Sequence, residues 1–164
     1  MKWALLAMGV LILMVALAAL VGAMLPARHR ASRMARIRAS PEAVYAVLAG
    51  PPDWRTGVRS FGVLADQDGK RRWWEEDDHG HKVAYELVEQ APPTRMVTRI
   101  ADETLPFGGT WTYEISRAET GGSEVRITED GVIHNLLFRF MARFLFGYTR
   151  TMEQVLGDLG VKFG

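Results

Sequence analysis

The chain has 164 residues, room for one membrane span and one domain of ordinary size but not for a second globular domain. Cysteine is absent, which removes disulfides, thiolate metal sites, cysteine nucleophiles and a lipidated cysteine together and leaves the redox compartment open. The net charge of +1 conceals an asymmetry: Lys2, Arg28, Arg30, Arg33, Arg36 and Arg38 precede the first acid, Glu42, and taking those six from the 20 basic residues leaves 14 against 19 acids. A body near −5 argues against a nucleic-acid partner held through phosphate contacts.

Residues 1–26 read as a transmembrane anchor. Trp3 to Leu25 carries no charge, and about 23 residues at about 1.5 Å each give about 34 Å of helix, enough for a hydrocarbon core of about 30 Å. The competing reading is a cleaved signal peptide with Val21-Gly22-Ala23 as its cleavage site. That reading is weaker, because the apolar run exceeds the usual core of about 7 to 15 residues and only Lys2 precedes it. Residues 27–38 form a basic juxtamembrane segment and the start of a first strand. Five arginines and His29 after the span, against Lys2 and the α-amine before it, orient the N-terminus outward and the domain toward the cytoplasm of a bacterial-type inner membrane. Beside anionic headgroups each such residue contributes on the order of 1 kcal/mol.

Residues 39–164 form the domain. Ser40-Pro41-Glu42 is a helix start: Ser40 caps free N–H groups, Pro41 suits the first helical position, and Glu42 favours the positive helix end. Val44, Val47 and Leu48 mark its apolar face, Gly50-Pro51-Pro52 ends it, and a short turn carries Asp53 and Trp54. From Arg59 to Ile133 the period is that of strands, broken at Asp68-Gly69, His79-Gly80, Pro92-Pro93, Gly108-Gly109 and Gly121-Gly122. About five or six antiparallel strands follow from that spacing. Val83, Tyr85 and Leu87, then Trp111, Tyr113 and Ile115, then Val125 and Ile127 alternate with polar neighbours, so one face is apolar and aromatic. A long helix closes the chain, capped by Asn135, with Leu137, Phe140, Met141, Phe144, Tyr148, Met152, Val155 and Leu159 in one stripe. Gly147 and Gly157 each cost it about 1 kcal/mol of propensity and mark close packing or a bend.

Strand, capped helix, short helix, meander and C-terminal helix make an α+β order. With Ile37-Arg38-Ala39-Ser40-Pro41-Glu42-Ala43-Val44-Tyr45, Trp54, Gly109-Thr110-Trp111-Thr112-Tyr113 and Ile127-Thr128-Glu129-Asp130-Gly131, the domain resembles the START-like SRPBCC superfamily. Within it, the chain resembles the polyketide cyclase/dehydrase and lipid-transport family. The resemblance implies a helix-grip fold, an antiparallel sheet wrapped around a long C-terminal helix, here preceded by one transmembrane helix. It further implies a cavity for lipids, polyketides, steroids or similar apolar molecules. It implies no fixed catalytic set, and fold alone does not determine function.

On that arrangement the ligand-binding wall consists of Trp54, Tyr85, Leu87, Met96, Trp111, Tyr113, Phe140, Phe144 and Tyr148. The plainer reading is that these residues fill a solid core, since core residues alternate in the same way. Glu129 continues the inward parity of Val125 and Ile127; buried there, its pKa rises and it serves as acid, base or ligand anchor. The arrangement that a strand-end glycine favours is instead a bulge near Gly131 that turns Glu129 to solvent. Tyr85 and Tyr113 are the other catalytic candidates, through their hydroxyls.

His79-Gly80-His81 beside Glu75, Glu76, Asp77 and Asp78 has the residue types of a metal site but falls at a hairpin tip, where a solvated polar turn explains it; no metal or other cofactor is expected. His134 reads as local capping. No nucleophile elbow, phosphate loop or dinucleotide fingerprint occurs. Arg139, Arg143 and Arg150 with Phe146 form a stripe that either meets lipid headgroups or pairs with acids on neighbouring loops, and the second, being commonplace, is favoured.

The leading functional expectation is membrane-tethered binding or transfer of a hydrophobic small molecule, without catalysis, because the acid/base inventory is sparse. The partners are then that molecule and the membrane, met through residues 3–25 and the basic flank. The alternative is a cyclase or dehydratase acting on a polyketide-like or isoprenoid substrate, without metal or nucleotide cofactor. A protein-interaction module with a vestigial cavity is the third. Oligomeric state is not legible in the sequence.

Overall fold

The computed structural model describes residues 1–164. Helix α1 (Lys2–Met24) is long and apolar enough to cross a membrane, and its residues are almost all uncovered by the rest of the chain. Three residues, Leu25 to Ala27, separate it from β1 (Arg28–Ile37). Next comes α2 (Pro41–Ala49), whose first turn is capped as the sequence indicates, with Ser40 Oγ accepting from the Ala43 N–H at 3.3 Å. A short 3-10 turn at Pro52–Trp54 leads into the meander.

The strands of the meander are β2 (Ser60–Gln67), β3 (Lys70–Glu76), β4 (Lys82–Ala91), β5 (Arg95–Ile100), β6 (Phe107–Arg117) and β7 (Ser123–Ile133). These are the six strands that the periodicity places between Arg59 and Ile133. The seven-stranded antiparallel sheet runs β1-β7-β6-β5-β4-β3-β2, so β1 closes against the last strand. The β1–β7 ladder keeps one register over its whole length, from Arg28 opposite Val132 to Ile37 opposite Ser123. Inward residues of β1, β6 and β7 therefore sit in fixed rows.

The C-terminal helical region departs from the single long helix expected. It comprises α3 (Leu136–Met141), a π-helical turn at Ala142–Phe146 and α4 (Arg150–Phe163). Asn135 is the cap, accepting from the Phe138 N–H at 3.0 Å. The break falls at Gly147, whose φ of 74° is one that L side chains rarely adopt and glycine takes without strain. The bend expected of a mid-helix glycine is thus at Gly147; around Gly157 nothing packs closely. The stripe is divided accordingly. Met152, Val155, Leu156 and Leu159 of α4 are buried against Ile37, Val44, Ile115, Val125 and Ile127, whereas Phe144 is exposed. The architecture is α+β, a curved antiparallel sheet gripping a C-terminal helix.

α3 does not pack into the domain core but against α1. Gly22, the one buried residue of α1, faces the backbone carbonyl of Leu136, and any Cβ at that position would collide with it. Close approach of two helix backbones through a glycine is the small-residue contact common between apolar helices.

Candidate functional site

Between the concave face of the sheet and the α3–α4 region lies a cavity of about 640 Å³, within the range of about 300 to 1,000 Å³ typical of small-molecule sites. Eighteen of its 32 lining residues are hydrophobic, so an apolar guest meets an apolar wall over most of its surface. Polar groups gather in two places.

The first is at Glu129. The β6–β7 ladder runs in register from Arg117 opposite Ser123 to Phe107 opposite Ile133, so no bulge intervenes and Glu129 faces inward rather than to solvent. The bulge favoured by Gly131 does not form because the glycine answers a different need. A Cβ at Gly131 would strike the His29 imidazole, its neighbour across the β1–β7 ladder. His29 Nε2 lies 3.3 Å from Glu129 Oε1, and its ring stacks on Tyr148 with centroids 4.1 Å apart. Burial raises the Glu129 pKa above its usual value, and His29 and the Trp111 indole partly oppose that rise.

The second place is at Arg55. Its Nη1 donates to Glu75 Oε2 at 2.7 Å, and the Trp73 indole N–H donates to the other oxygen, Oε1, at 2.9 Å. The side chains of Arg55 and Glu75 are 19% and 10% exposed. The segment bearing Arg55 is pinned by α4: Asp158 accepts from the Thr56 N–H at 2.7 Å and its hydroxyl at 2.8 Å, and Gln154 donates to the Thr56 carbonyl at 2.9 Å. Burial pushes the Tyr113 phenol up to about 12 and the Tyr85 phenol higher still, while Arg55 pulls both down and Glu75 pushes both up. Both phenols therefore stay protonated at neutral pH and act as hydrogen-bond donors and acceptors. Arg55 Nε and Trp54 Nε1 are buried without a partner, and both residues line the cavity. Both N–H groups lie within the cavity wall, covered by their neighbours.

Of the nine wall residues expected from the sequence, Trp54, Tyr85, Met96, Trp111, Tyr113 and Tyr148 line the cavity together. Leu87, Phe140 and Phe144 do not. Leu87 packs against the buried core next to an irregularity in the β4–β5 register. Phe140 and Phe144 lie on α3 and the π turn, which turn Phe138, Ala142 and Phe146 to the cavity in their place.

His29, Arg55 and Glu75 were not legible as site residues. Glu75 does carry a signal, since it shares strand parity with Trp73, but its place in the acidic run leading to the hairpin tip masks it. That tip is a polar turn, with the Asp77 carboxylate accepting from the backbone N–H groups of His79 at 2.8 Å and His81 at 2.9 Å. Its pKa is lowered first by the hydrogen bond from the His81 backbone.

The expected pairing of Arg139, Arg143 and Arg150 with acids is not found: none of the three forms an ion pair. Arg139 Nε donates to the Ile133 carbonyl at 2.7 Å, and the Arg143 guanidinium lies 5.9 Å from the Phe144 ring centre.

Solved structures share the fold at low identity. A START superfamily protein from Mycobacterium smegmatis superposes with a TM-score of 0.64 at 13% identity, over 82% of this chain and 97% of that one. Norcoclaurine synthase from Thalictrum flavum does so with 0.64 at 9%, over 82% and 86%. The di-domain ARO/CYC protein BexL from the BE-7585A biosynthetic pathway gives 0.64 at 14%, over 84% of this chain and 50% of that one. At these identities the likeness shows the fold alone. No curated protein matches the chain. Residues 28–160, nearly the whole domain after α1, match the family model described as polyketide cyclase / dehydrase and lipid transport, and the chain belongs to that family.

Proposed function

We propose that the protein is a membrane-tethered binder that takes up, holds or hands over a hydrophobic small molecule in its internal cavity. The observation that carries this reading is the cavity of about 640 Å³, largely apolar yet lined also by Arg55, Glu75, Tyr85 and Tyr113. A guest that is mostly hydrocarbon with one or two oxygen atoms suits it: the rings of Trp73, Trp111 and Tyr148 meet the hydrocarbon, and the phenols of Tyr85 and Tyr113 meet the oxygen. The Arg55–Glu75 pair is neutral as a whole, which favours a hydroxyl or carbonyl over a free carboxylate. α1, with the basic residues that follow it, supplies the tether, and the arginine excess after α1 supports a cytoplasmic domain.

Native mass spectrometry of the full chain extracted in mild detergent tests the proposal. A co-purifying lipid-like mass is expected, and it should vanish in Thr98→Trp, which fills the cavity from β5, while circular dichroism stays unchanged. A cavity with no guest in both proteins refutes the carrier.

A cyclase or dehydratase is the second reading, favoured by the His29–Glu129 pair, which places a carboxyl of raised pKa beside an imidazole on the cavity wall. Glu129 would then protonate or deprotonate the substrate, with Tyr85 or Tyr113 holding its oxygen. Turnover that is lost in Glu129→Gln, with guest binding retained, would decide for it. A protein-interaction module with a filled cavity gains no support from a void of this size.

A further inference from the structure

The segment Leu136–Phe146 has an unusual distribution of side chains. Phe144, Leu145 and Phe146 are exposed by 56%, 65% and 49%. On a water-facing surface such a run is costly, and contiguous apolar patches of this kind mark a contact with another apolar phase. Arg139 and Arg143 precede the run and have no acidic partner; Arg139 Nε donates to the Ile133 carbonyl and Arg143 lies against Phe144. Aromatic and leucine side chains on one side with arginines beside them is the composition of helices that lie in a lipid interface.

Two further observations identify the phase. First, α3 packs against the last turns of α1, at Gly22, and Ala18 and Ala19 are half-buried there while the rest of α1 up to that point is exposed. Ala18 lies six residues before the end of α1 at Met24, so α3 reaches back along the apolar helix by roughly 9 Å at about 1.5 Å per residue. That is the depth, about 5 to 10 Å, at which interfacial helices bury their apolar face. Second, only Leu25 to Ala27 join α1 to β1, so the domain cannot move away from α1. The backbone of the segment is helical throughout, so the polar groups between its end turns are satisfied internally at that depth. The apolar surface of the segment continues that of α1.

We infer that Leu136–Phe146 is a second membrane contact, lying in the headgroup and upper acyl region of the bilayer that α1 crosses, with Phe144 and Leu145 in the lipid and Arg139 and Arg143 at the phosphates. This rests on the proposed reading of α1 as a membrane anchor and goes beyond it, because an anchor by itself leaves the domain in water. The contact has a consequence for the cavity. Phe138, Phe146 and Tyr148 line it, and Phe138 and Phe146 are 36% and 49% exposed. They stand on a rim shared by the cavity and the lipid, so a guest passes from bilayer to cavity beside the π turn without crossing water.

Site-directed fluorescence of the full chain tests this. The sequence has no cysteine, so single variants Leu13→Cys, Leu145→Cys and Val161→Cys can each carry one environment-sensitive nitrobenzoxadiazole label. The variants are reconstituted into phosphatidylcholine–phosphatidylglycerol vesicles with or without nitroxide on the acyl chains. Val161 is 84% exposed near the end of α4, where Arg38 holds the terminal carbonyl beyond the far end of β1. Ten strand residues at about 3.3 Å separate that end from α1 by roughly 30 Å. Labels at 13 and 145 are expected to emit at shorter wavelength and to be quenched by nitroxide lipid, and the label at 161 only by aqueous iodide.

Quenching by lipid at 13 but not at 145 overturns the second contact and leaves the anchor standing. Loss of lipid quenching at both overturns the anchor, and the inference with it. Equal lipid quenching at 145 and 161 also overturns it, because the domain would then lie on the bilayer without the orientation described. Phe144→Cys reports on the same surface should Leu145→Cys fail to fold.

Discussion

Replacing Glu75 with methionine, Arg55 with methionine, and both together separates what the pair contributes from what its burial costs. The two side chains are 10% and 19% exposed and meet at 2.7 Å. With charge centres about 4 Å apart, an effective dielectric constant of about 20 gives an attraction of about 4 kcal/mol. Removing one partner leaves an uncompensated buried charge and typically costs about 3 to 5 kcal/mol. Removing both with methionines of similar volume also removes the desolvation cost, so the double variant is expected to lie within about 1 kcal/mol of the parent or above it. Glu75→Met additionally leaves the Trp73 N–H without its acceptor, so it should be the more damaging single change. Arg55→Met still leaves Glu75 with the Trp73 N–H. Denaturant unfolding of the full chain in detergent micelles, followed by circular dichroism of the sheet, gives the four free energies of the cycle. A Glu75→Met cost below about 1 kcal/mol, or a coupling energy near zero, would show that the pair behaves like a solvated surface contact, and the account of a dry polar station in the cavity would fall.

The Glu129 carboxyl is held protonated more readily in the fold than in the unfolded chain, so its contribution to stability is complete below the ordinary value of 4.5 and is lost as pH rises through the folded value. Glu129→Gln is therefore expected to melt above the parent at neutral pH, with the gap closing below pH 4.5; a gap independent of pH refutes the burial of that carboxyl. Gly22→Leu places side-chain atoms against the Leu136 carbonyl and should lower stability in micelles by about 1 to 3 kcal/mol through overpacking. Gly9→Leu, where nothing lies within 4 Å, should be neutral or mildly stabilising, and equal effects at the two glycines would refute the α1–α3 contact.

What the sequence made legible is local. The uncharged run to Leu25, the caps at Ser40 and Asn135, and the glycine-marked hairpins are written in adjacent residues, and α1, α2, α3 and the strands begin or end where they indicate. Strand parity was enough to place Tyr85, Trp111 and Tyr113 on the cavity wall. Gly147 reads locally as a propensity cost that marks close packing or a bend, and its φ of 74°, which decides for the bend, is recorded by no local pattern. The polar stations were hidden for the same reason. His29 reaches Glu129 across 100 positions and Arg55 reaches Glu75 across 20, so each pairing depends on how distant segments come together. His29 in particular sits among arginines whose charge pattern speaks about topology rather than about a cavity.

The link between α1 and β1 also limits how the protein can work. Three residues extend at most about 10 Å, far less than the leash a roaming shuttle would need to ferry cargo between surfaces. Whatever holds α1 holds the domain beside it, and on the proposed reading of α1 as an anchor the cavity stays within reach of the bilayer surface. On that reading a donor or recipient meets the cavity at the membrane itself, since the domain cannot swing out into the water on its own link.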